Sequence, residues 1–168
     1  MTAADQQDAV HLTRLRDLTA QEHKLAVLVA TGIGPRGIAA APGPYRSTEA
    51  ARKAVEALLR RTGARTRPQL SGWMAAAGLI SAPIDTEGVA AARSGLPPRC
   101  LTILYGWADG LTTEAVARVL GLGAAQKSMA AYLRTLFLRL GVWSPEEAVV
   151  VGVLTGLVEP APPGEAAS

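Results

Sequence analysis

Residues 18–80 read LTAQEHKLAVLVATGIGPRGIAAAPGPYRSTEAARKAVEALLRRTGARTRPQLSGWMAAAGLI. Residues 96–158 read LPPRCLTILYGWADGLTTEAVARVLGLGAAQKSMAAYLRTLFLRLGVWSPEEAVVVGVLTGLV. At an offset of 78 the two stretches align without a gap, and Gly32, Gly43, Gly63 and Gly78 fall on Gly110, Gly121, Gly141 and Gly156. Each stretch holds seven glycines, for which chance places about one coincidence, so four indicate an internal repeat. Leu18/Leu96, Ala39/Ala117, Leu58/Leu136, Arg61/Arg139 and Leu79/Leu157 are also identical, and Leu25/Ile103, Ile38/Val116, Ala64/Val142 and Ile80/Val158 are conservative. Ten identities in all describe an old, much-diverged duplication. Glycines persist at helix ends because the left-handed conformation there is costly for a side chain. The four pairs therefore predict matching helix ends.

Each stretch reads as four helices. Thr19 with Glu22 makes a capping box for the first, Leu25, Leu28 and Val29 give it helical spacing, and Gly32 stops it. Pro35 opens a short helix with Ile38, Ala39 and Ala41, broken at Pro42-Gly43-Pro44. Ser47 caps a third helix with an apolar stripe of Ala51, Val55, Leu58 and Leu59, ended by Gly63. Pro68 opens the fourth, with Leu70, Trp73, Met74 and Ala77. In the second stretch the helices fall at about 99–109, after Thr112, along a run carrying Met129, Leu133, Leu136 and Leu140, and after the capping box Ser144-Pro145-Glu146-Glu147. No segment alternates like a strand, so the expectation is an all-α chain. Residues 1–17 form an N-terminal helix or arm through Val10, Leu12 and Leu15. Residues 18–80 are the first unit, 81–95 a linker, 96–158 the second unit, and 159–168 a Pro/Ala-rich flexible tail.

The composition limits the chemistry. The 168 residues are 49% hydrophobic and 18% charged, which suits one or two folded domains rather than a disordered chain. A lone cysteine, Cys100, excludes an internal disulfide and a cysteine-built zinc site, and reads as a small packing residue. His11 and His23 read as ordinary histidines, Trp107 and Trp143 as core or inter-repeat packing. Asp5 and Asp8 stand where a signal peptide needs an apolar core, and no apolar run approaches the roughly 18 residues of a spanning helix. A cytoplasmic protein without membrane association is expected. No nucleophile–base set, paired carboxylates or phosphate-binding glycine loop stands out, so no enzyme activity, catalytic residue, metal or cofactor is expected.

The order helix, Gly turn, short helix, turn, long helix is that of a helix-turn-helix unit. The residues resemble the LuxR/GerE-type helix-turn-helix family. Its pattern is carried in the first unit by Leu18-Thr19, Glu22, Gly32, Ile38-Ala39, Ser47, Arg61, Gly63-Ala64 and Arg67. In the second it is carried by Gly110, Val116-Ala117, Ser128-Met129, Tyr132-Leu133 and Arg139-Leu140-Gly141-Val142. The family's Glu before Ile-Ala is Gly37 here, and Ala115 in the second unit, and from the Ile-Ala pair to the recognition-helix Ser/Thr position both units run two residues longer than the family's usual pattern. The resemblance implies a small bacterial transcriptional regulator, made of two tandem four-helix units and binding double-stranded DNA through third helices in the major groove.

The charge is unevenly placed. Residues 18–80 carry nine Lys/Arg against three acids, and residues 96–158 carry five against four. DNA affinity rests on cations that displace counterions from phosphates, so the first unit is expected to dominate. Thr48, Glu49, Arg52 and Lys53 lie near the start of its third helix, off the apolar stripe, where helix-turn-helix proteins reach bases. By resemblance they read bases, Arg52 foremost, beside Ser47, while Arg36, Arg46 and Arg60 hold phosphates. The competing reading of this face is solvated ion pairs, Glu49–Lys53 and Arg52–Glu56. In the second unit Gln126, Lys127 and Arg134 are the matching residues, with a structural or dimerising copy as the alternative. The apolar fourth helices, with Leu70, Trp73, Met74, Ala148 and Val151, are expected to pack on each other within the chain as a pseudo-twofold pair, or to form a homodimer surface. The rival function is a degenerate helix-turn-helix module that binds another regulator, a sigma factor or RNA polymerase; a ligand sensor with a pocket between the repeats is a further alternative.

Overall fold

The computed structural model describes residues 13–81, 95–122 and 126–161. Among the described residues every regular element is a helix, and there is no strand. The first half carries α1 (Ala20–Ala30), α2 (Pro35–Ala40), α3 (Thr48–Thr62) and α4 (Arg67–Ala76). The second carries α5 (Pro98–Ala108), α6 (Thr113–Val119), α7 (Gln126–Leu140) and α8 (Pro145–Leu154). The bounds of α1 and α5, α3 and α7, and α4 and α8 are all 78 residues apart; α2 and α6 start 78 apart and differ by one residue in length. The helix ends follow from local chemistry. The Thr19 hydroxyl accepts from Glu22 N while Glu22 Oε2 accepts from Thr19 N at 2.8 Å, a closed capping box. Ser47, Thr66, Thr112 and Ser144 cap α3, α4, α6 and α8 through their hydroxyls.

Three of the four glycine pairs, 32/110, 63/141 and 78/156, have positive φ between 67° and 85° in both halves. The fourth splits: Gly121 is left-handed and Gly43 is not. Its neighbours Pro42 and Pro44 shape the bend instead, through their fixed φ. The Ser144 cap also differs from expectation, because Glu147 Oε2 accepts from Trp143 N at 2.9 Å rather than from the N-cap residue.

Each half has its own core. Leu15, Leu25, Val29, Ile38, Ala51, Val55, Leu58, Leu70, Trp73 and Met74 cluster in the first. Ile103, Leu104, Trp107, Val116, Met129, Leu136, Ala148 and Val149 cluster in the second. Trp107 is 1% exposed, stacks on Phe137 with ring centroids 6.1 Å apart, and donates its N–H to Thr113 Oγ1. Trp143 corrects the expectation of core packing: it is 89% exposed. It precedes the α8 cap, where only its backbone is engaged. Cys100 is buried as expected, and burial pushes its thiol up. Of residues 1–17 the described part is a helical turn at 13–16 that buries Leu15; the rest, most of the linker, and the tail after 161 lie outside the described residues.

The halves join through α4 and α8, which make the most extensive helix–helix contact. The seam uses small residues. A Cβ at Gly72 would stand 2.8 Å from Val149 Cγ1, and Ala30, Ala75 and Val150 form a buried cluster shared between the halves. Leu70, Met74 and Ala148 lie in their own half's core, and Trp73, in the first half's core, also reaches across through its indole N–H, which donates to Ala161 O at 2.9 Å. Arg67 crosses it: Nη2 donates to Ile33 O at 3.0 Å and Nε faces Glu146 Oε1 at 3.1 Å.

The contacts across the seam are reciprocal. Gly32, ending α1, abuts Ser144 and Glu147 of α8, and Gly110, ending α5, abuts Gln69 of α4. Positions 32 and 110, and 69 and 147, are both 78 apart. Positions related by the 78-residue offset thus meet across the seam in both directions. A Cβ at Gly110 would lie 2.5 Å from Gln69 Oε1, an atom already accepting from Arg65 N at 2.9 Å. Gly110→Ala is therefore expected to cost about 2 kcal/mol or more, and Gly121→Ala, with the same left-handed φ but open space, about 1 kcal/mol. Urea midpoints of the two variants check the difference.

Glu22 adds a pH-dependent tie. The Thr19 backbone N–H, its hydroxyl and the Arg61 guanidinium, 3.1 Å away, hold the Glu22 carboxyl below its usual value of 4.5. Its folded pKa lies below the unfolded one, so the contribution is present at neutral pH and lost as pH falls through the folded value. Glu22→Ala is expected to cost about 1 kcal/mol at pH 7, a difference that narrows in acid denaturation series.

Candidate nucleic-acid interface

Helix α3 buries Ala51, Val55, Leu58 and Thr62 at intervals of three and four residues. That stripe fixes which face looks outward. Thr48, Glu49, Arg52, Lys53, Glu56 and Arg60 are all exposed, and so are Arg36 on α2 and Arg46 before α3. The turn between α2 and α3, residues 41–47, is held to α1 where Gln21 Nε2 donates to Tyr45 Oη at 3.3 Å. Its seven residues exceed the three or four of an ordinary helix-turn-helix connection.

The predicted base-reading residues form one cluster. Glu49 sits between two cations, with Arg52 Nη1 at 3.2 Å and Lys53 Nζ at 3.9 Å. The Glu49–Lys53 pair expected for a solvated face is present, whereas Arg52 turns to Glu49 rather than to Glu56. The i,i+3 spacing toward the helix N-terminus brings the guanidinium over Glu49. These side chains are more than half exposed, so the pairs hold them only weakly. Among the described residues, Arg36, Arg46 and Arg60 have no ion-pair partner. Ser47 accepts from Ala50 N at 3.1 Å, and its hydroxyl proton remains available to an acceptor.

Two basic residues of the first half are structural. Arg61 bonds Asp17 O and pairs with Glu22, tying the end of α3 to the start of α1. Arg67 spans the seam. Arg65 is exposed one residue before the Thr66 cap and extends the cationic side of this half. It was legible only as a charge, since its place beside a helix start depends on the Thr66 cap.

The second half presents a different surface. Gln126 and Lys127 open α7, and their side chains lie outside the described residues; Arg134 is exposed. Seventy-eight residues after Arg52, Lys53, Arg60 and Arg65 stand Ala130, Ala131, Leu138 and Trp143, all exposed. Leu138 is 81% exposed. Where the first half carries cations, the second carries small or apolar side chains. Among the described residues no cluster of His, Cys, Asp and Glu could hold a metal ion, and no helix is long and apolar enough to cross a membrane.

A search of protein-family models, of curated proteins and of solved structures finds no match to this chain.

Proposed function

We propose that the chain is a sequence-specific DNA-binding transcriptional regulator, built from two LuxR-type helix-turn-helix units, with the first unit dominant. The observation that carries this reading is the outer face of α3. It offers Arg52 and Lys53 at the helix start, Arg36, Arg46 and Arg60 around it, and a buried stripe that leaves no other face available. Arginine can take both acceptors of guanine, glutamate can accept from cytosine, and the flanking arginines suit phosphates. DNA would have to draw Arg52 and Lys53 away from Glu49, a step that exposed ion pairs oppose little.

Selection of fragmented genomic DNA on the full chain, followed by titration at two salt concentrations, tests the reading. The expected result is a defined consensus whose affinity falls with salt yet survives the higher concentration. Weak binding with no consensus, lost steeply with salt, would refute it. Glu49→Ala is expected to raise affinity for non-specific DNA several-fold by removing a negative charge beside phosphates, and to narrow the gap between the selected site and random DNA. Competition titrations measure both.

One observation favours a second reading for the second half. Leu138 and Trp143 expose apolar surface at the positions of Arg60 and Arg65, which suits a protein contact, to RNA polymerase, another regulator or a second copy, better than DNA. Trp143→Ala should then leave DNA affinity unchanged.

A further inference from the structure

The helical turn ahead of α1 is fixed in place. Its backbone closes where Asp17 N donates to Thr13 O at 2.9 Å. Leu15 is 1% exposed and belongs to the first half's core, and Arg61 of α3 donates to Asp17 O at 3.1 Å. One buried side chain and one bond at its end thus anchor the turn, while Arg14 and Arg16 stay exposed. Residues two apart on a helix do not share a face, so these two arginines leave the turn in different directions.

Arg14 lies at the end of α3. A Cβ at Gly63, the left-handed cap of that helix, would stand 3.5 Å from Arg14 Nη1. Gly63 belongs to the outward face: Glu49, Lys53, Glu56, Arg60 and Gly63 follow one another at steps of three or four residues, and all are exposed. The Arg14 guanidinium therefore continues the row of Lys53 and Arg60, from a part of the chain that precedes the helix-turn-helix unit. Among the described residues Arg14 has neither an ion-pair nor a hydrogen-bond partner, so its N–H donors are uncommitted. The second half differs. At Gly141, 78 residues after Gly63, a Cβ would meet nothing within 4 Å among the described residues.

We propose that Arg14 is a further DNA contact, binding a backbone phosphate at the edge of the groove that α3 enters; this role rests on the DNA reading of that helix. From Glu49 to Gly63 the outward face runs about 21 Å, whereas the major groove is about 12 Å wide. A helix with its first turns on the bases thus brings its far end to the sugar–phosphate wall. A guanidinium held there, beside Arg60, can give a phosphate two parallel hydrogen bonds. Such a contact carries no base information; it fixes register and adds affinity. The negative end of the α3 dipole favours a cation at that place before DNA arrives.

Titrations of the full chain with selected and with random DNA across a salt series test the contact, using Arg14→Ala, Arg16→Ala and the Arg52→Ala/Lys53→Ala double variant beside the parent. Arg14→Ala is expected to weaken both DNAs several-fold and alike, and to make the slope of log affinity against log salt shallower by about one. Arg16→Ala removes the same charge from the same turn and is expected to leave that slope nearly unchanged. Arg14→Lys keeps the charge and should keep most of the slope. Phosphate ethylation interference is expected to lose one position at the edge of the site when Arg14 is replaced by alanine. Binding by Arg14→Ala equal to the parent's, while the double variant loses affinity, would overturn the Arg14 contact and leave the DNA reading standing. Equal losses from Arg14→Ala and Arg16→Ala would overturn it too, since net charge alone would then account for both. A parent chain that binds no DNA would overturn this contact and the DNA reading together.

Discussion

Trp107→Ala is expected to remove about 3–5 kcal/mol of stability, the largest effect of any single truncation in the second half. Trp107 is the largest fully buried side chain of the molecule. Its ring stacks on Phe137 of α7 and its N–H reaches Thr113 at the start of α6, so one residue joins α5, α6 and α7. Truncation leaves a cavity among Ile103, Leu104, Val116 and Leu136, and frees the Thr113 hydroxyl. Small domains have about 5–15 kcal/mol in all, so the variant should be partly unfolded near physiological temperature. The equivalent position in the first half is Val29, equally buried; Val29→Ala removes far less volume and should cost roughly 1–3 kcal/mol. Urea denaturation followed by circular dichroism gives both values. A Trp107→Ala midpoint within about 1 kcal/mol of the parent would contradict the packing described.

The second large effect concerns binding. Arg52→Ala combined with Lys53→Ala should lower affinity for the selected DNA by roughly a hundredfold or more, since a bidentate arginine–base contact contributes about 1–3 kcal/mol and a phosphate-bound lysine adds to it. Folding should hardly change. Both side chains are exposed on α3 and, among the described residues, pair only with Glu49, such pairs are worth about 0.5 kcal/mol or less, and alanine is a good helix former. Unchanged thermal stability with lost DNA binding is thus the expected pair of results. A folded double variant with full DNA affinity would place the DNA contact elsewhere.

The features legible in the sequence were local. Thr19 with Glu22, Ser47, Thr112, Ser144 and the paired glycines mark helix ends, because capping and left-handed turns depend on neighbours within a few residues. The stripe Ala51, Val55 and Leu58 set the inward face of α3, and hence the outward face with Arg52 and Lys53. Trp143 departs from the burial that its type favours, because its exposure depends on how the chain enters α8, with Glu147 holding its backbone. Gly43 lacks the left-handed φ of Gly121, since two prolines already bend the chain there.

By itself, the sequence determined the helical class, the four-helix order repeated at an interval of 78 residues and the cationic face of the first half. Periodicity, caps and charge are written residue by residue. Only the tertiary structure decided that Gly72, Ala75 and Val150 form the seam while Leu70 and Met74 fill a core, and that Arg67 spans the halves while Arg52 faces outward. It also decided that the Trp73 indole reaches Ala161, 88 residues on. These outcomes depend on contacts between residues tens of positions apart, and on the volumes of side chains brought together where the halves meet.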